Sequence, residues 1–223
     1  MSKIIWDEIA KRIGENGVKN GIIYTIDETG KYTNGVAWDG LIGVNEAPTG
    51  AEPSAYYADD IKYIELMSAE EFAATIEAFM YPDEFKPCIG EVTLKAGLTI
   101  SQQNRKMFGF AYKTMVVNDS EGEIGYKIHL VYGAKASTSD VSHSTINESP
   151  DLLTFSWDIT TTPVPVTGHK PTAHFVIDTT KIAVEDAAKL ALLEDQLFGK
   201  DGTVETAIIP NMPLPDAIAA MFV

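Results

Sequence analysis

The chain has 223 residues, enough for one β-rich domain with a substantial core, and its 32 acidic against 17 basic residues leave a formal net charge of -15. A field of that sign repels phosphates and anionic headgroups, which excludes nucleic-acid binding by phosphate neutralisation and recruitment to an anionic membrane surface. The single cysteine, Cys88, cannot close an internal disulfide and fits maturation in a reducing compartment, and no apolar run approaches the roughly 20 residues of a membrane span.

In chain order, Ile5, Ile9 and Ile13 recur every four residues and predict an amphipathic helix in an N-terminal arm over residues 1–16, stopped near Gly14 and Gly17. Asp7, Glu8, Lys11 and Arg12 interrupt the apolar core that a secretory signal needs, so export by the ordinary route is not expected. Strand signals follow at 22–26 and 35–44. Residues 45–60 carry Pro48, Gly50 and Pro53, end in Tyr56 and Tyr57, and read as a long loop suited to contact with another subunit. Residues 61–66 return to strand. Ser68 with Glu71 forms a capping-box pattern, but β-branched Thr75 and Ile76 and the early closure by Pro82 favour strand over helix across 72–79. Residues 85–103 supply another pair of strands around Gly97.

The strongest patterning runs from 108 to 161. Phe108, Phe110, Tyr112, Thr114 and Val116 alternate, an acidic turn over 118–125 sends the chain back, and Tyr126, Ile128, Leu130 and Tyr132 repeat the spacing. Side chains two apart on a strand point the same way, so this predicts a hairpin with one side buried. Leu153, Phe155, Trp157 and Ile159 continue the pattern, and Ala173, Phe175 and Ile177 mark a last strand over 172–178. Ala183, Ala187, Leu190, Leu193 and Leu197 then predict a helix over 182–198, ended by Gly199, with Glu185 and Lys189 paired one turn apart. One apolar stripe needs a partner, and the free face of the sheet is the obvious one. Residues 201–223, with Pro210, Pro213 and Pro215, read as a C-terminal arm with an apolar tip. The fold expected is mainly β, a sandwich or barrel-like domain over 17–200 with one flanking helix, an extended loop and terminal arms.

The chemical inventory is short. His129, His143, His169 and His174 show no pair at the spacing of a helical or strand metal site, although ligands can converge from distant positions, and the expected metal and cofactor complement is none. Asp59 with Asp60 and Asp83 with Glu84 offer carboxylates to a hard cation but match no calcium-loop pattern, and solvated loop acids are the simpler reading. Ser142, His143 and Ser144 place a hydroxyl beside an imidazole without a nucleophile elbow, and no phosphate-binding glycine loop occurs. The acceptor-like triplet Asn147-Glu148-Ser149 is followed by Pro150 with no secretory signal before it, so glycosylation is not expected. No catalytic residues are assigned.

Several segments, in order, carry a resemblance: 58–63 (ADDIKY), 75–85 (TIEAFMYPDEF), 125–137 (GYKIHLVYGAKAS), 145–150 (TINESP), 155–166 (FSWDITTTPVPV) and 213–222 (PLPDAIAAMF). Together, over about 17–223, they resemble the major tail tube proteins of long-tailed bacteriophages with non-contractile tails; the N-terminal 1–16 has no counterpart in that family. The resemblance implies a β-sandwich flanked by a helix that closes into hexameric rings, stacked into a tube in the virion tail and assembled in the bacterial host cytoplasm. It implies no enzyme activity, no cofactor and no membrane. The implied partners are further copies of the chain, the tape measure protein and other tail proteins, with genomic DNA passing through without specific binding. The composition agrees, since an acidic lumen lets phosphates slide past, and ring closure removes sheet edges that would otherwise aggregate. Asp59, Asp60, Asp83, Glu84, Glu121 and Glu123 are the candidate lumen-facing residues. Two other classes stay open. A carbohydrate-binding β-sandwich would use Trp38, Trp157 and the tyrosines as stacking platforms, and a hydrolase would gather carboxylates from separate loops around a deep pocket with a perturbed acid.

Overall fold

The computed structural model describes residues 4–9, 11–143, 145, 151–203 and 206–223. Ser144, the 146–150 part of the TINESP motif with its acceptor-like triplet, residues 1–3, Ala10 and 204–205 lie outside them. Among the described residues no helix is long and apolar enough to cross a membrane.

β1 (Ile13–Ile26) turns into β2 (Tyr32–Trp38) through Asp27, whose Oδ1 accepts from the backbone N–H of Thr29 at 2.8 Å and of Lys31 at 3.0 Å. A second turn at Asp39-Gly40 leads into β3 (Leu41–Glu46), so the single strand expected over 35–44 is two. The loop expected over 45–60 is largely ordered into sheet. β4 (Thr49–Gly50) and β7 (Glu70–Glu71) pair as a short stem, and β5 (Pro53–Ala58) and β6 (Ile61–Met67) extend from it as a separate hairpin. Asp59 and Asp60 make its two-residue turn with φ of 51° and 59°, a left-handed conformation that aspartate tolerates and that matches strand twist. β8 (Ala73–Ala78) is a strand, as its β-branched residues predict. A 3₁₀ stretch, Asp83–Cys88, occupies the start of the region read as paired strands, which are confined to β9 (Val92–Lys95) and β10 (Leu98–Ile100). The long hairpin is β11 (Phe108–Asn118) and β12 (Gly122–Ala136), followed by β13 (Phe155–Thr161) and β14 (His174–Asp178). A 3₁₀ turn, Val184–Asp186, opens α1 (Ala187–Phe198), and α2 is Pro215–Met221.

The main sheet runs β2-β1-β11-β12-β13-β8-β3, antiparallel throughout, with β14 added beside β12. It curls until β3 lies beside β1, so it encloses one core and presents another on its outer face. The inner core holds Ile23, Trp38, Ile76, Phe85, Phe108, Phe110, Trp157 and Ile159. The outer core holds Tyr24, Ile128, Leu130, Tyr132 and Ile177 under Leu193 and Leu197 of α1 and Ile218 of α2. The β11–β12 hairpin is therefore buried on both sides, where alternation alone predicted one. Register is the reason. Tyr112 pairs with His129 and Phe110 with Val131, while Ala111 pairs with Leu130; cross-strand partners share a face, so the Phe108–Tyr112 set and the Ile128–Tyr132 set look opposite ways.

The N-terminal helix expected over 1–16 is not formed by the described residues. Residues 4–9 and 11–12 are irregular, and β1 begins at Ile13. Gly14 and Gly17, read as helix stops, lie inside the strand, with Gly17 at φ 66° where the ladder to β11 shifts register. The bare edge of a long β11 supplies a row of backbone partners that outweighs a weak local helical spacing. The pairing expected between Glu185 and Lys189 is replaced by Lys189 with Asp186 at 3.0 Å, Glu185 lying in the 3₁₀ turn ahead of α1. The C-terminal arm folds back onto its own domain. Met212 N–H donates to Tyr32 O at 3.0 Å, Gly35 N–H donates to Pro210 O at 2.9 Å, and α2 buries Ile218. These bonds cover the outer edge of β2, so the edges of the main sheet are less open than the sequence suggested.

The outer core also carries a helix-end contact. The hydroxyl of fully buried Tyr24 donates to Leu197 O at 2.8 Å in the last turn of α1, where backbone carbonyls lack helical partners. Tyr24→Phe is expected to lower stability by about 1–2 kcal/mol, since it leaves that carbonyl buried and unpaired. Chemical denaturation measures it, and an unchanged midpoint would show that the carbonyl finds another partner.

Candidate functional site

Two features stand apart from ordinary packing. The first is the β5–β6 hairpin. Every residue of both strands is exposed, and Tyr57 and Tyr63 keep 71% and 75% of their surface in solvent. Tyr56 pairs with Ile64 and Ser54 with Leu66 on one face, and Met67, Ile61, Tyr57 and Tyr63 are exposed around them. A two-stranded hairpin with neither face buried is marginal in water, and contiguous apolar surface of this kind marks a contact site. β9 and β10 form a second fully exposed hairpin carrying Val92, Leu94, Leu98 and Ile100, and Ile4, Ile5, Trp6 and Ile9 are exposed before β1.

The second feature is a polar cluster at one end of the inner core. The inward positions of β11 and β12 change from aromatic to polar beyond Tyr112. His129 of β12 stacks on the Tyr112 ring at 4.6 Å and lies 6% exposed. His174 of β14 sits with Nε2 3.2 Å from His129 Nδ1 and is backed by the Phe72 ring at 4.4 Å. Glu46, at the end of β3, places Oε1 3.4 Å from His129 Nδ1, and the Tyr112 hydroxyl donates to the same oxygen at 2.6 Å. On the far side of His129, Nε2 meets Thr114 Oγ1 at 3.0 Å, and Thr114 in turn donates to Glu15 Oε1 at 2.5 Å. Lys127 Nζ is bonded to the other oxygen of Glu15.

Burial pushes the imidazoles of His129 and His174 below their ordinary range, with Glu46 pulling the other way; both are neutral near pH 7. Partial burial raises Glu15, but hydrogen bonds from Lys127 and Thr114 outweigh it and hold the carboxyl low. Burial and the bond to Glu46 push the Tyr112 phenol far up, so it remains a donor. Glu46, His129 and His174 each offer one ligand atom, and these atoms lie within 4.8 Å of one another. None of the three was assigned a site role from sequence.

The sequence-predicted lumen residues occupy three separate turns. Asp59 and Asp60 cap the β5–β6 hairpin, Glu121 and Glu123 lie at the β11–β12 turn, and Asp83 and Glu84 open the 3₁₀ stretch. Asp83 pairs with Lys86 at 2.7 Å and Glu123 with Lys19 at 3.8 Å. Trp38 and Trp157, the platforms of the carbohydrate reading, are 3% and 4% exposed and pack on each other with ring centres 5.7 Å apart, so neither presents a face to a sugar. For the hydrolase reading, a cavity of about 550 Å³ lined by Tyr32, Asn34, Gln196, Pro210, Met212 and Leu214 among others has no acid or imidazole on its wall, and another of about 380 Å³ carries Glu91, Arg105 and His143 beside Tyr81.

No protein-family model and no curated protein matches the chain. Among solved structures, a chain of an extracellular contractile injection system, in its PVC sheath-tube complex in the extended state, aligns with a TM-score of 0.33 and 11% identity over 72% of this chain and 89% of that one.

Proposed function

We propose that this chain is a structural, self-assembling subunit of a bacteriophage tail tube of the non-contractile type, stacking as rings, expected to be hexameric, around a channel for the genome. The observation that carries the reading is the β5–β6 hairpin, which leaves Tyr56, Ile64 and Leu66 on one face and Tyr57 and Met67 beside the Lys62–Glu65 ion pair on the other unburied within its own chain. Its occupant is a second copy, because the exposed β9–β10 hairpin and the segment before β1 supply further unburied apolar surface on the same molecule. A patch meeting a different patch on an identical neighbour is the head-to-tail arrangement that closes rings or propagates tubes. The ordered motif resemblance and the acidic surface support the same reading, the latter because repelled phosphates slide without sticking. Asp59, Asp60, Asp83, Glu84, Glu121 and Glu123 remain the proposed lumen lining, and a ring with a neutral or basic inner wall would refute that part. Tail assembly in the host cytoplasm with a tape measure protein completes the proposal.

The test is to substitute Tyr57→Asp and Tyr63→Asp together. Both side chains are solvent-exposed in the protomer, so folding should change by less than about 0.5 kcal/mol. The double variant is expected to sediment as a folded monomer at concentrations where the parent protein forms rings or tubes. A variant that assembles as the parent does would remove the hairpin from the interface.

A further inference from the structure

We propose that Glu46, His129 and His174 form a binding site for one borderline transition-metal ion, zinc in the first instance, that fastens β3 to β12 and β14. The distances carry it. Metal–ligand bonds of about 2.0–2.2 Å at tetrahedral angles put neighbouring donor atoms about 3.3–3.5 Å apart. His129 Nδ1 lies 3.2 Å from His174 Nε2 and 3.4 Å from Glu46 Oε1, two edges at that spacing, and the three donor atoms all fall within 4.8 Å of one another.

The surroundings set the donor atoms. Thr114 gives its own proton to Glu15, so its oxygen faces His129 Nε2 as an acceptor, and His129 satisfies it by carrying its proton on Nε2. The Nδ1 lone pair faces His174 Nε2 at 3.2 Å and Glu46 Oε1 at 3.4 Å, so it accepts the His174 Nε2 proton or, with that proton moved to His174 Nδ1, 3.9 Å from Glu46 Oε2, ligates a cation beside the carboxylate. Glu15, anchored by Lys127, is the outer carboxylate that orients a metal-bound imidazole, and the Tyr112 hydroxyl orients Glu46. Two imidazoles and one carboxylate suit zinc, nickel or copper, whereas calcium and magnesium select oxygen donors. Glu46 is the exposed member and gives the ion its way in from solvent, with the remaining coordination position left to water. Because β3 leads through β4 into the exposed hairpin, an ion here fixes the base from which that hairpin projects.

The experiment uses chelator-treated protein without a histidine tag, titrated with Zn²⁺ alone by calorimetry and with Cu²⁺ for electron paramagnetic resonance. One ion per chain is expected, with coupling to two nitrogens. Glu46→Gln and His174→Gln should each weaken Zn²⁺ binding at least tenfold with unchanged circular dichroism, and Thr114→Val should weaken it about tenfold by removing the hydroxyl that holds His129 Nε2. His143→Gln and His169→Gln should bind as the parent does. Absence of saturable binding, a copper signal without nitrogen coupling, or affinity retained in both ligand variants would overturn the site; the copper spectrum of the unsubstituted protein decides the matter even if a variant fails to fold. Tube formation is read separately, so loss of either property leaves the other interpretable.

Discussion

Phe85→Ala is expected to lower the free energy of unfolding by about 3–5 kcal/mol, a large part of the stability of a domain this size. Phe85 is fully buried at the end of the inner core, where the 3₁₀ stretch inserts it among Trp38 at 4.5 Å, Trp157 at 5.1 Å, Phe108 at 5.2 Å and Tyr81 at 6.1 Å between ring centres. Alanine removes the transfer energy of a whole ring. It also leaves a void between two indoles, which cannot both move in: Trp38 is held by its Nε1–H bond to Met80 O at 2.9 Å, and Trp157 sits in a strand paired on Ile76. Tilted and edge-on ring contacts add to the loss. Urea denaturation followed by tryptophan fluorescence measures it, and a loss under about 1 kcal/mol would show that the 3₁₀ stretch collapses into the gap.

Gly133→Ala is the second large effect, at about 2–5 kcal/mol. Gly133 marks the place where β12 changes neighbours, from β14 up to Val131 opposite His174, to β13 from Ala134 opposite Thr161. The strand bends there with φ of 58°, and an added Cβ would lie 2.3 Å from Thr162 O. A left-handed conformation costs a non-glycine residue roughly 1–2 kcal/mol, and overpacking costs about 1–3 more. The backbone cannot relax cheaply, since Gly133 N–H donates to the Tyr32 hydroxyl at 2.9 Å and its carbonyl accepts from Thr162 N–H at 3.0 Å. Gly30→Ala provides the comparison: its φ is 79° but the space around it is open, so only the conformational cost applies. Equal losses at the two positions would show that the close approach to Thr162 carries no energy.

The strand content was legible because alternation over Phe108–Asn118 and Gly122–Ala136 is long and regular, and a β-branched pair at Thr75 and Ile76 outweighed a capping signal. Which face each strand buries was not, because that depends on pairing Tyr112 with His129 and no residue in either strand declares its register. The N-terminal error has the same origin: Ile5, Ile9 and Ile13 are spaced for a helix, and the unpaired edge that recruits Ile13 into β1 lies more than a hundred residues away in sequence. The hairpin could have been read from Asp59-Asp60 between two apolar runs, a turn pair that local spacing had already placed at a strand boundary. The histidine cluster was least visible. His129 and His174 are 45 residues apart and meet only because β14 adds to β12. The available clue was a histidine inserted between Ile128 and Leu130, at the position alternation assigns to the opposite face.

Everything about function rests on apolar surface that a single protomer leaves in water being covered by its copies. Electron microscopy of the purified protein at rising concentration tests that directly, alone and with the proposed assembly partners present. Stacked rings with the β5–β6 hairpin buried against a neighbouring subunit are the predicted result. A monodisperse monomer under both conditions, with Tyr57 and Tyr63 still open to solvent, would contradict it.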